Sequence, residues 1–378
     1  MARSHPQPLG APAAVLAAEL LRWYRRSARV LPWRSDPTPY RVLLSEFMLQ
    51  QTRTETVIDR FHGFLERWPT LEDLAAAEEG DVVAEWAGLG YYRRARNLHR
   101  TAVQASEAGG LPADPDALRR LPGIGPYTAG AIASIAFGVS TPVVDGNVER
   151  VLSRVDGREA DPRSKSGRGA LWVRAGELVG EAGGGGAGGP GDLNQALMEL
   201  GATVCTPRAP QCPDCPWKGH CLARARGTEE QLPRRAPRPE PKPMRGVAGI
   251  LWQEDRVLLG LRPPQGLLGS LWEPISTAIQ PGDPPDSALV RAFREQTDLQ
   301  VRVRRVLGQV VHVFTHRRLT LEVREVVCSD PAPPRCLGTY QELRWVDPVR
   351  PDGVGLSTLA RRTLALATDR GASEPPAG

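Results

Sequence analysis

The sequence predicts two domains, an all-α domain followed by an α+β domain, and three observations support this prediction. Apolar residues in the first part recur at helical spacing, as between Val42 and Met48, with little strand signal. Short runs rich in β-branched residues dominate the second part, as between Leu319 and Val327. A segment that alternates proline with arginine and lysine separates the two and is typical of an extended tether. The predicted boundaries are 1–230 for the first domain, 231–245 for the linker and 246–370 for the second domain.

Composition indicates a soluble protein with a polyanionic partner. Apolar residues make up 41% of the chain and charged residues 24%, which is typical of globular domains. No stretch approaches the roughly 20 apolar residues of a membrane span. The alanine-rich run from Leu9 to Leu21 contains Glu19 and leads into arginines, so it predicts an amphipathic helix instead of a signal peptide. A cytoplasmic location follows. The net charge of +5 fits a nucleic-acid partner but is weak support by itself.

Four cysteines lie within 205–221 of the first domain, and their density predicts a metal site. Six, two and five residues separate them in order; they are Cys205, Cys212, Cys215 and Cys221. Four thiolates suit zinc and a 4Fe-4S cluster equally well, so ligand type does not choose between the two. The alternative is two disulfides or unrelated free thiols, which the absence of secretory features and the clustering of the cysteines disfavour.

A second signal lies between Leu121 and Gly130. Gly123 and Gly125 permit a tight backbone turn before an alanine-rich helix, whose first amide groups are free to bind a phosphate. This pattern is typical of a helix-hairpin-helix, which grips a DNA strand by its backbone without reading sequence. If the motif stood alone, a simple tight turn would explain it equally well.

The hairpin does not stand alone, and the order of motifs resembles a known superfamily. The hairpin is followed by Asp145, just beyond an apolar segment, and then by the four cysteines. This order is similar to that of the endonuclease III superfamily of DNA glycosylases. The segments 44–52 and 88–92, together with the second domain, narrow the resemblance to MutY-type adenine glycosylases. The resemblance covers nearly the whole chain and implies a 4Fe-4S cluster on the four cysteines.

Glu46 and Asp145 are the predicted catalytic carboxylates. Cleavage of an N-glycosidic bond needs a proton for the departing base and negative charge beside the sugar, a task that two carboxylates can share. Glu46 lies among apolar neighbours, which raise the pKa of a carboxyl group. Taken singly, each acid would be interpreted as a helix cap or an ion-pair partner. The resemblance implies that Glu46 protonates adenine, that Asp145 stabilises the cationic sugar, and that Tyr127 and Asn147 orient them.

The identity of residue 127 also indicates whether the reaction leaves the DNA strand intact. Bifunctional lyases of the superfamily carry a lysine at this position of the hairpin helix, and its amine attacks the sugar. The tyrosine here implies a monofunctional enzyme that leaves an abasic site in an intact strand.

The target base is unreachable inside a duplex, so an enzyme of this type has to extrude it. The resemblance implies that Gln51, Leu89 and Tyr91 enter the DNA from the minor groove, with Thr52 beside them. The basic residues that follow are expected to contact phosphates; they are Arg93, Arg94, Arg96 and His99. The alternative is an amphipathic helix with a solvated basic face over 89–98.

The second domain resembles a Nudix fold related to 8-oxo-dGTP hydrolases. The resemblance rests on 266–274 and on a helix that retains only a fragment of the glutamate row that binds magnesium, so hydrolase activity is expected to be absent. By resemblance, a hairpin loop recognises 8-oxoguanine opposite the adenine, and it corresponds to Phe314, Thr315 and His316. Threonine replaces the commoner serine and keeps its hydroxyl. The alternative is an edge strand with one exposed histidine.

The sequence therefore favours a monofunctional glycosylase of base excision repair that removes adenine mispaired with 8-oxoguanine or guanine. Its expected partner is double-stranded DNA with these mispairs, and it is expected to act as a monomer. Two other functions stay open at this point. The first is a glycosylase for mismatched thymine or oxidised pyrimidines, and the second is a DNA-damage binding or redox protein without enzymatic activity.

Overall fold

Two units make up the structure, which is a computed structural model. It describes residues 11–86, 88–183, 188–236, 240–314, 316–329, 333–351 and 353–368. Contacts between Cα atoms divide the chain into Met1–Pro237 and Arg238–Gly378. This division falls inside the range 231–245 that the sequence predicts as a linker. Within the described residues, no helix combines the length and apolar character needed to span a bilayer.

The N-terminal unit consists of helices in its described residues. They are α1 (Ala13–Ser27), α2 (Pro32–Ser35), α3 (Pro39–Leu49), α4 (Thr54–Arg67), α5 (Leu71–Ala76), α6 (Glu79–Glu85), α7 (Arg93–Glu107), α8 (Pro115–Leu118), α9 (Pro126–Phe137), α10 (Gly146–Val155), α11 (Lys165–Gly180), α12 (Pro190–Thr203) and α13 (Leu222–Arg226), with a 3₁₀ turn at Cys212–Asp214.

Local sequence determines where the three site-bearing helices begin. Thr38 caps α3 by accepting a hydrogen bond from the backbone N–H of Arg41, and proline follows at the first helical position. Gly125 precedes α9, which also starts with proline. Asp145 caps α10 through its carboxylate. Because α3 packs against α9, and α12 packs against both α9 and α10, the three site-bearing helices lie close together.

Close helix contacts around α12 fix the position of α10. Gly191 and Gly201 lie on α12, where an added Cβ would come within 2.6 Å of the Ser134 carbonyl oxygen and of Asn147 Cβ, respectively. Side chains larger than hydrogen at these two positions would push the helices apart. A core of buried residues from α1, α10, α11 and α12, including Leu20, supports this arrangement.

The C-terminal unit is a mixed sheet with a helix on each face. The strands are β1 (Lys242–Gln253), β2 (Arg256–Leu261), β3 (Trp272–Pro274), β4 (Ser276–Ala278), β5 (Val301–Val313), β6 (Arg317–Cys328) and β7 (Glu342–Val346). The strand order is β3-β2-β1-β6-β5, with β4 paired to β1, β7 paired to β2, and β1 parallel to β6. The helices are α14 (Pro285–Thr297) and α15 (Thr358–Thr368).

Alternation along β1 explains the two-sided packing. Val247 and Leu251 pack with α14 in one core, whereas Ala248 and Ile250 pack with α15 in another. The fold class predicted from the sequence, all-α followed by α+β, is confirmed. The β-branched runs at 301–306 and 310–314 predict two separate strands, but the structure has one strand there, β5, which ends at Val313 and whose pairing with β6 shifts register twice. Such bulges interrupt the sequence alternation, which made one strand read as two.

Candidate active site

A cavity of about 230 Å³ in the N-terminal unit contains the predicted catalytic residues. Glu46 reaches it from α3, Tyr127 from α9, and Asp145 and Asn147 from the start of α10. The structure therefore brings together four residues that lie up to 101 positions apart in the sequence, as expected from the motif order.

Glu46 is buried in a position that favours its protonated form. It is 6% exposed, and this burial raises the pKa of its carboxyl group to about 7. A hydrogen bond from the Tyr127 hydroxyl opposes the shift, because it stabilises the ionised form. The same hydroxyl lies 3.1 Å from Met198 Sδ. Its single proton serves one acceptor at a time, and a carboxylate is the stronger acceptor of the two.

Asp145 is held by the N-terminus of α10. Its Oδ1 accepts hydrogen bonds from the backbone N–H groups of Asn147 at 2.9 Å and Val148 at 2.7 Å. Its Oδ2 accepts a third bond from Asn147 Nδ2 at 3.1 Å. Burial raises the pKa of Asp145, and these hydrogen bonds oppose that effect. The helix N-terminus also favours a negative charge at this place.

The two carboxyl groups therefore differ in their preferred states. Three hydrogen bonds and a helix N-terminus stabilise the ionised form of Asp145, whereas Glu46 has one hydroxyl donor and a pKa near neutrality. The negative charge of Asp145 raises the pKa of Glu46 further. A proton donor and a fixed anion in one cavity can perform acid-assisted bond cleavage.

Three further charged residues line the cavity that the sequence analysis missed. Glu199 on α12 is 1% exposed and accepts hydrogen bonds from Arg29 Nε at 2.7 Å and Arg34 Nη2 at 2.9 Å. Burial alone would raise the pKa of Glu199, but the two arginines lower it overall. About 170 positions separate the carboxylate from the arginines, so no local spacing could have revealed the group.

Arg150 connects the catalytic end of α10 to the first cysteine. Its Nη2 donates to Asn147 Oδ1 at 2.9 Å and to the Gly201 carbonyl at 2.6 Å, and its Nε donates to the Cys205 carbonyl at 2.7 Å. The orientation of Asn147, and through it that of Asp145, therefore depends on the backbone at the cysteine-bearing segment.

The four cysteines line one small cavity together with basic side chains. Arg154 Nη1 lies 3.4 Å from Cys205 Sγ, and Cys221 Sγ donates to the Arg154 carbonyl. Burial raises the pKa of Cys215 to about 12, so the thiolate form there needs a compensating cation.

The distances between the thiol sulfurs determine which kind of metal centre the four cysteines can bind. A single zinc ion with Zn–S bonds of about 2.3 Å needs sulfurs about 3.8 Å apart. Among the described residues, no group of three or more His, Cys, Asp or Glu side chains is placed to hold one metal ion. Four thiols around a shared cavity also match the ligand set of a 4Fe-4S cluster, which is larger than one ion.

The residues predicted to contact DNA fall into exposed and buried groups. Gln51 and Tyr91 are exposed and adopt left-handed backbone angles, with φ of 60° and 48°. Arg93 is exposed, and so is Gly123, whose φ is 77°. Thr52 and Gly125 are half-buried.

Four other residues on this stretch are buried, in contrast to the expectation that they face DNA. Leu89 is 5% exposed and packs in the protein interior. The expectation of phosphate contact is wrong for Arg94, Arg96 and His99, which are buried on α7. His99, for example, hydrogen-bonds the Ala77 carbonyl at 2.8 Å. These side chains lie on the inward-facing side of α7, which is set by the helical period. A count of basic residues along the stretch does not show which of them face inward.

The predicted recognition loop lies between β5 and β6. Phe314 is half-buried and packs edge-on against His312 with ring centroids 4.4 Å apart, and His316 is exposed. Thr315 lies outside the described residues. On α14, Glu295 is exposed and Gln296 is buried.

Comparison with known proteins gives related families for both units. Residues 44–175 match the HhH-GPD superfamily base excision DNA repair protein family, and residues 246–366 match the NUDIX domain family. The adenine DNA glycosylase of Homo sapiens is 39% identical over 362 residues, covering 80% of this chain and 65% of the human protein. That of Rattus norvegicus is 37% identical, covering 86% of this chain and 73% of the rat protein.

A solved structure of a thermostable thymine-DNA glycosylase is also similar. It shares 28% identity with a TM-score of 0.50, covering 57% of this chain and 97% of that one. The present chain spans slightly less than two thirds of the length of the human relative.

The protonation of Glu46 can be measured directly. In a carboxyl-edited NMR titration of protein with ¹³C-labelled glutamate, one carboxyl group is expected to titrate near pH 7 and to vanish in Glu46→Gln. Tyr127→Phe removes a donor to the ionised form, so we expect the pKa of Glu46 to rise by roughly half a unit to one unit. Tyr340→Phe, which removes a hydroxyl bonded to Glu273 in the other unit, should leave it unchanged. A Glu46 pKa near 4.5 would contradict this assignment.

Proposed function

The chain belongs to the adenine DNA glycosylase family, and we propose that it hydrolyses the N-glycosidic bond of adenine mispaired with 8-oxoguanine or guanine in double-stranded DNA. The cavity that pairs a protonatable Glu46 with Asp145 is the observation that carries this proposal. The matches to base excision repair and adenine glycosylase proteins support it. In this proposal the protein acts as a monomer.

The reaction begins with an adenine extruded from the duplex into the cavity. Protonated Glu46 gives its proton to the base, at N7 by analogy with the family, and the bond from the sugar C1′ to N9 breaks with its electrons going to adenine. Asp145, held by Asn147, stabilises the positive sugar. Water then adds to C1′ and loses a proton to Glu46, which restores the starting state. The products are free adenine and an abasic site.

Glu199 and its two arginines supply groups that fit a purine. Adenine presents an exocyclic amine, which is a donor, beside ring nitrogens that accept hydrogen bonds. Glu199 can accept from such an amine, and Arg29 and Arg34 can donate to ring nitrogens. The fixed pairing of these three side chains means that little reorganisation is needed when the base enters.

Recognition of the opposite base is assigned to the C-terminal unit. The loop of Phe314, Thr315 and His316 offers an aromatic ring, a hydroxyl and an imidazole, which suit stacking and hydrogen bonding to 8-oxoguanine. The NUDIX domain match over residues 246–366 supports this assignment. It agrees with the resemblance of this domain to 8-oxo-dGTP hydrolases, which implies a site for oxidised guanine.

A 4Fe-4S cluster is proposed for Cys205, Cys212, Cys215 and Cys221. The four thiolates would hold the cluster, which would crosslink the segment 205–221. Arg154 partly neutralises the negative charge of the thiolates. The exposed Arg208 on the same segment then has a fixed position from which to contact a phosphate.

Base release tests the enzymatic proposal. Duplexes with adenine opposite 8-oxoguanine or guanine are expected to yield free adenine and alkali-labile sites, without strand breaks before alkali, since Tyr127 supplies no amine. Glu46→Gln should lower the single-turnover rate about 10³-fold, because the amide cannot give up a proton in this way. The control Glu107→Gln, at the exposed end of α7, should be unaffected.

The pH dependence of this rate has a defined sign. Above about pH 7 the rate should fall as Glu46 ionises, and at low pH it should fall as Asp145 becomes protonated. Thymine released from G:T duplexes in place of adenine would favour the alternative glycosylase. Absence of any released base would leave only the binding function.

Threonine in the recognition loop gives a test of lesion discrimination. Thr315→Val replaces the hydroxyl with a methyl of similar size, so the preference for 8-oxoguanine over guanine should fall about tenfold. Thr315→Ser keeps the hydroxyl and should keep most of the preference. Thr320→Val, the same change on β6, should have no effect on it. An unchanged ratio of single-turnover rates in Thr315→Val would exclude a role for this hydroxyl.

Metal analysis tests the cysteine site. The purified protein should contain about four irons and four sulfides per chain, and no stoichiometric zinc. Cys215→Ser should lose most of this iron and lower the thermal midpoint of the N-terminal unit, because bound metal stabilises the folded state. Cys328→Ser on β6 should change neither value. One zinc per chain in the purified protein would overturn the cluster assignment.

A further inference from the structure

Arg94 hydrogen-bonds to the C-terminal end of α3, the helix that carries Glu46. It is 7% exposed and lies in the first turn of α7. Its Nη1 donates to the carbonyl oxygens of Phe47 and Met48, both at 2.9 Å, and to that of Gln50. These carbonyls lie at the C-terminal end of α3, where no further turn of helix satisfies them and where a positive charge is favourable.

The second terminal nitrogen of the same guanidinium, Nη2, hydrogen-bonds to a loop. Nη2 donates to the carbonyl oxygens of Leu89 and Gly90 at 2.8 and 3.1 Å, and to Thr52 Oγ1 at 3.1 Å. Residues 88–91 are called the wedge loop below. Two additional contacts close the group: Thr52 Oγ1 lies 3.4 Å from the Leu89 carbonyl, and Trp86 Nε1 donates to Gly90. One planar group therefore joins the wedge loop to α3.

The acceptors of Arg94 flank two exposed residues with unusual backbone angles. Gln51 follows the end of α3, and Tyr91 ends the wedge loop; both have left-handed φ values without being glycine. Such residues persist only where surrounding contacts hold them. The Tyr91 ring is 63% exposed, and the Arg94 guanidinium lies 5.6 Å from its centroid. Both belong to the three residues expected from the sequence to enter the duplex, and the third, Leu89, is buried.

We propose that Arg94 is a positioning residue that couples insertion of Tyr91 into the duplex to the placement of the Glu46 helix. The inference rests on the proposed function. When DNA pushes on the wedge loop, the displacement reaches α3 through hydrogen bonds to a single rigid group, because Nη1 and Nη2 share one plane. Burial lowers the pKa of Arg94 to about 10, so the group stays charged at neutral pH.

Arg94→Lys is the informative substitution, since it keeps the charge and removes the two-sided plane. Single-turnover adenine release should fall about tenfold, measured per active site by burst titration so that unfolded protein does not count. The fluorescence of 2-aminopurine placed beside the target adenine should rise less on binding, which reports incomplete unstacking. In a Tyr91→Ala background, where the wedge is already lost, Arg94→Lys should change the rate by less than about twofold.

The matched control is Arg174→Lys, which removes another buried guanidinium that binds a backbone carbonyl, that of Ala11, away from the cavity. It should leave both readouts at the wild-type value. If Arg94→Lys lowers the rate equally in the wild-type and Tyr91→Ala backgrounds, Arg94 only stabilises the local structure, and the coupling is overturned. Adenine release by the wild type with no change in Arg94→Lys would overturn it as well. Failure of the wild type to release adenine would instead refute the proposed function, and the fluorescence comparison would still decide the coupling.

Discussion

The site depends on keeping two buried carboxyl groups in different protonation states. If both Glu46 and Asp145 were ionised, their repulsion in a poorly hydrated cavity would be costly, and no proton would be available for a leaving group. If both were protonated, no anion would face a cationic sugar. The fold separates them by environment, giving Asp145 three hydrogen bonds at a helix N-terminus and Glu46 a buried position with one hydroxyl donor. Burial raises the pKa of both acids, and the hydrogen bonds at the start of α10 hold the pKa of Asp145 lower than burial alone would.

Glycine contacts make this separation possible. Gly201 allows α12 to approach Asn147 closely, so that the start of α10 with Asp145 lies beside α12. Glu199 lies on the same helix as Gly201, α12, and lines the same cavity as Glu46 and Asp145. Its charge is neutralised by Arg29 and Arg34, so a third carboxylate lines the cavity without an unpaired negative charge that would further perturb Glu46.

The sequence alone identified residues that belong to short local motifs. It missed residues whose role depends on tertiary contacts between distant segments. The hairpin glycines, the cap at Asp145 and the four cysteines are short motifs, and the structure brings each set to one place. Glu199 looks like any helical glutamate until the fold places two arginines beside it. The short strands β3, β4 and β7 were also missed, because three to five residues carry too little alternation to be recognised. Arg94 was expected to contact phosphate because it belongs to a run of basic residues, but the structure buries it.

The arginines change how the charge of this chain is interpreted. Arg94, Arg150 and Arg154 are each at least 92% buried, and each binds carbonyl oxygens from segments that are distant in sequence. A guanidinium has five donors in one plane, so it can hold several backbone ends that lack partners, which an ammonium group or an apolar side chain cannot do. Some of the arginines that contribute to the net charge of +5 are therefore buried and crosslink the backbone, so they do not form a surface for DNA. The basic composition predicts the partner only through residues such as Arg93, which the helix leaves exposed.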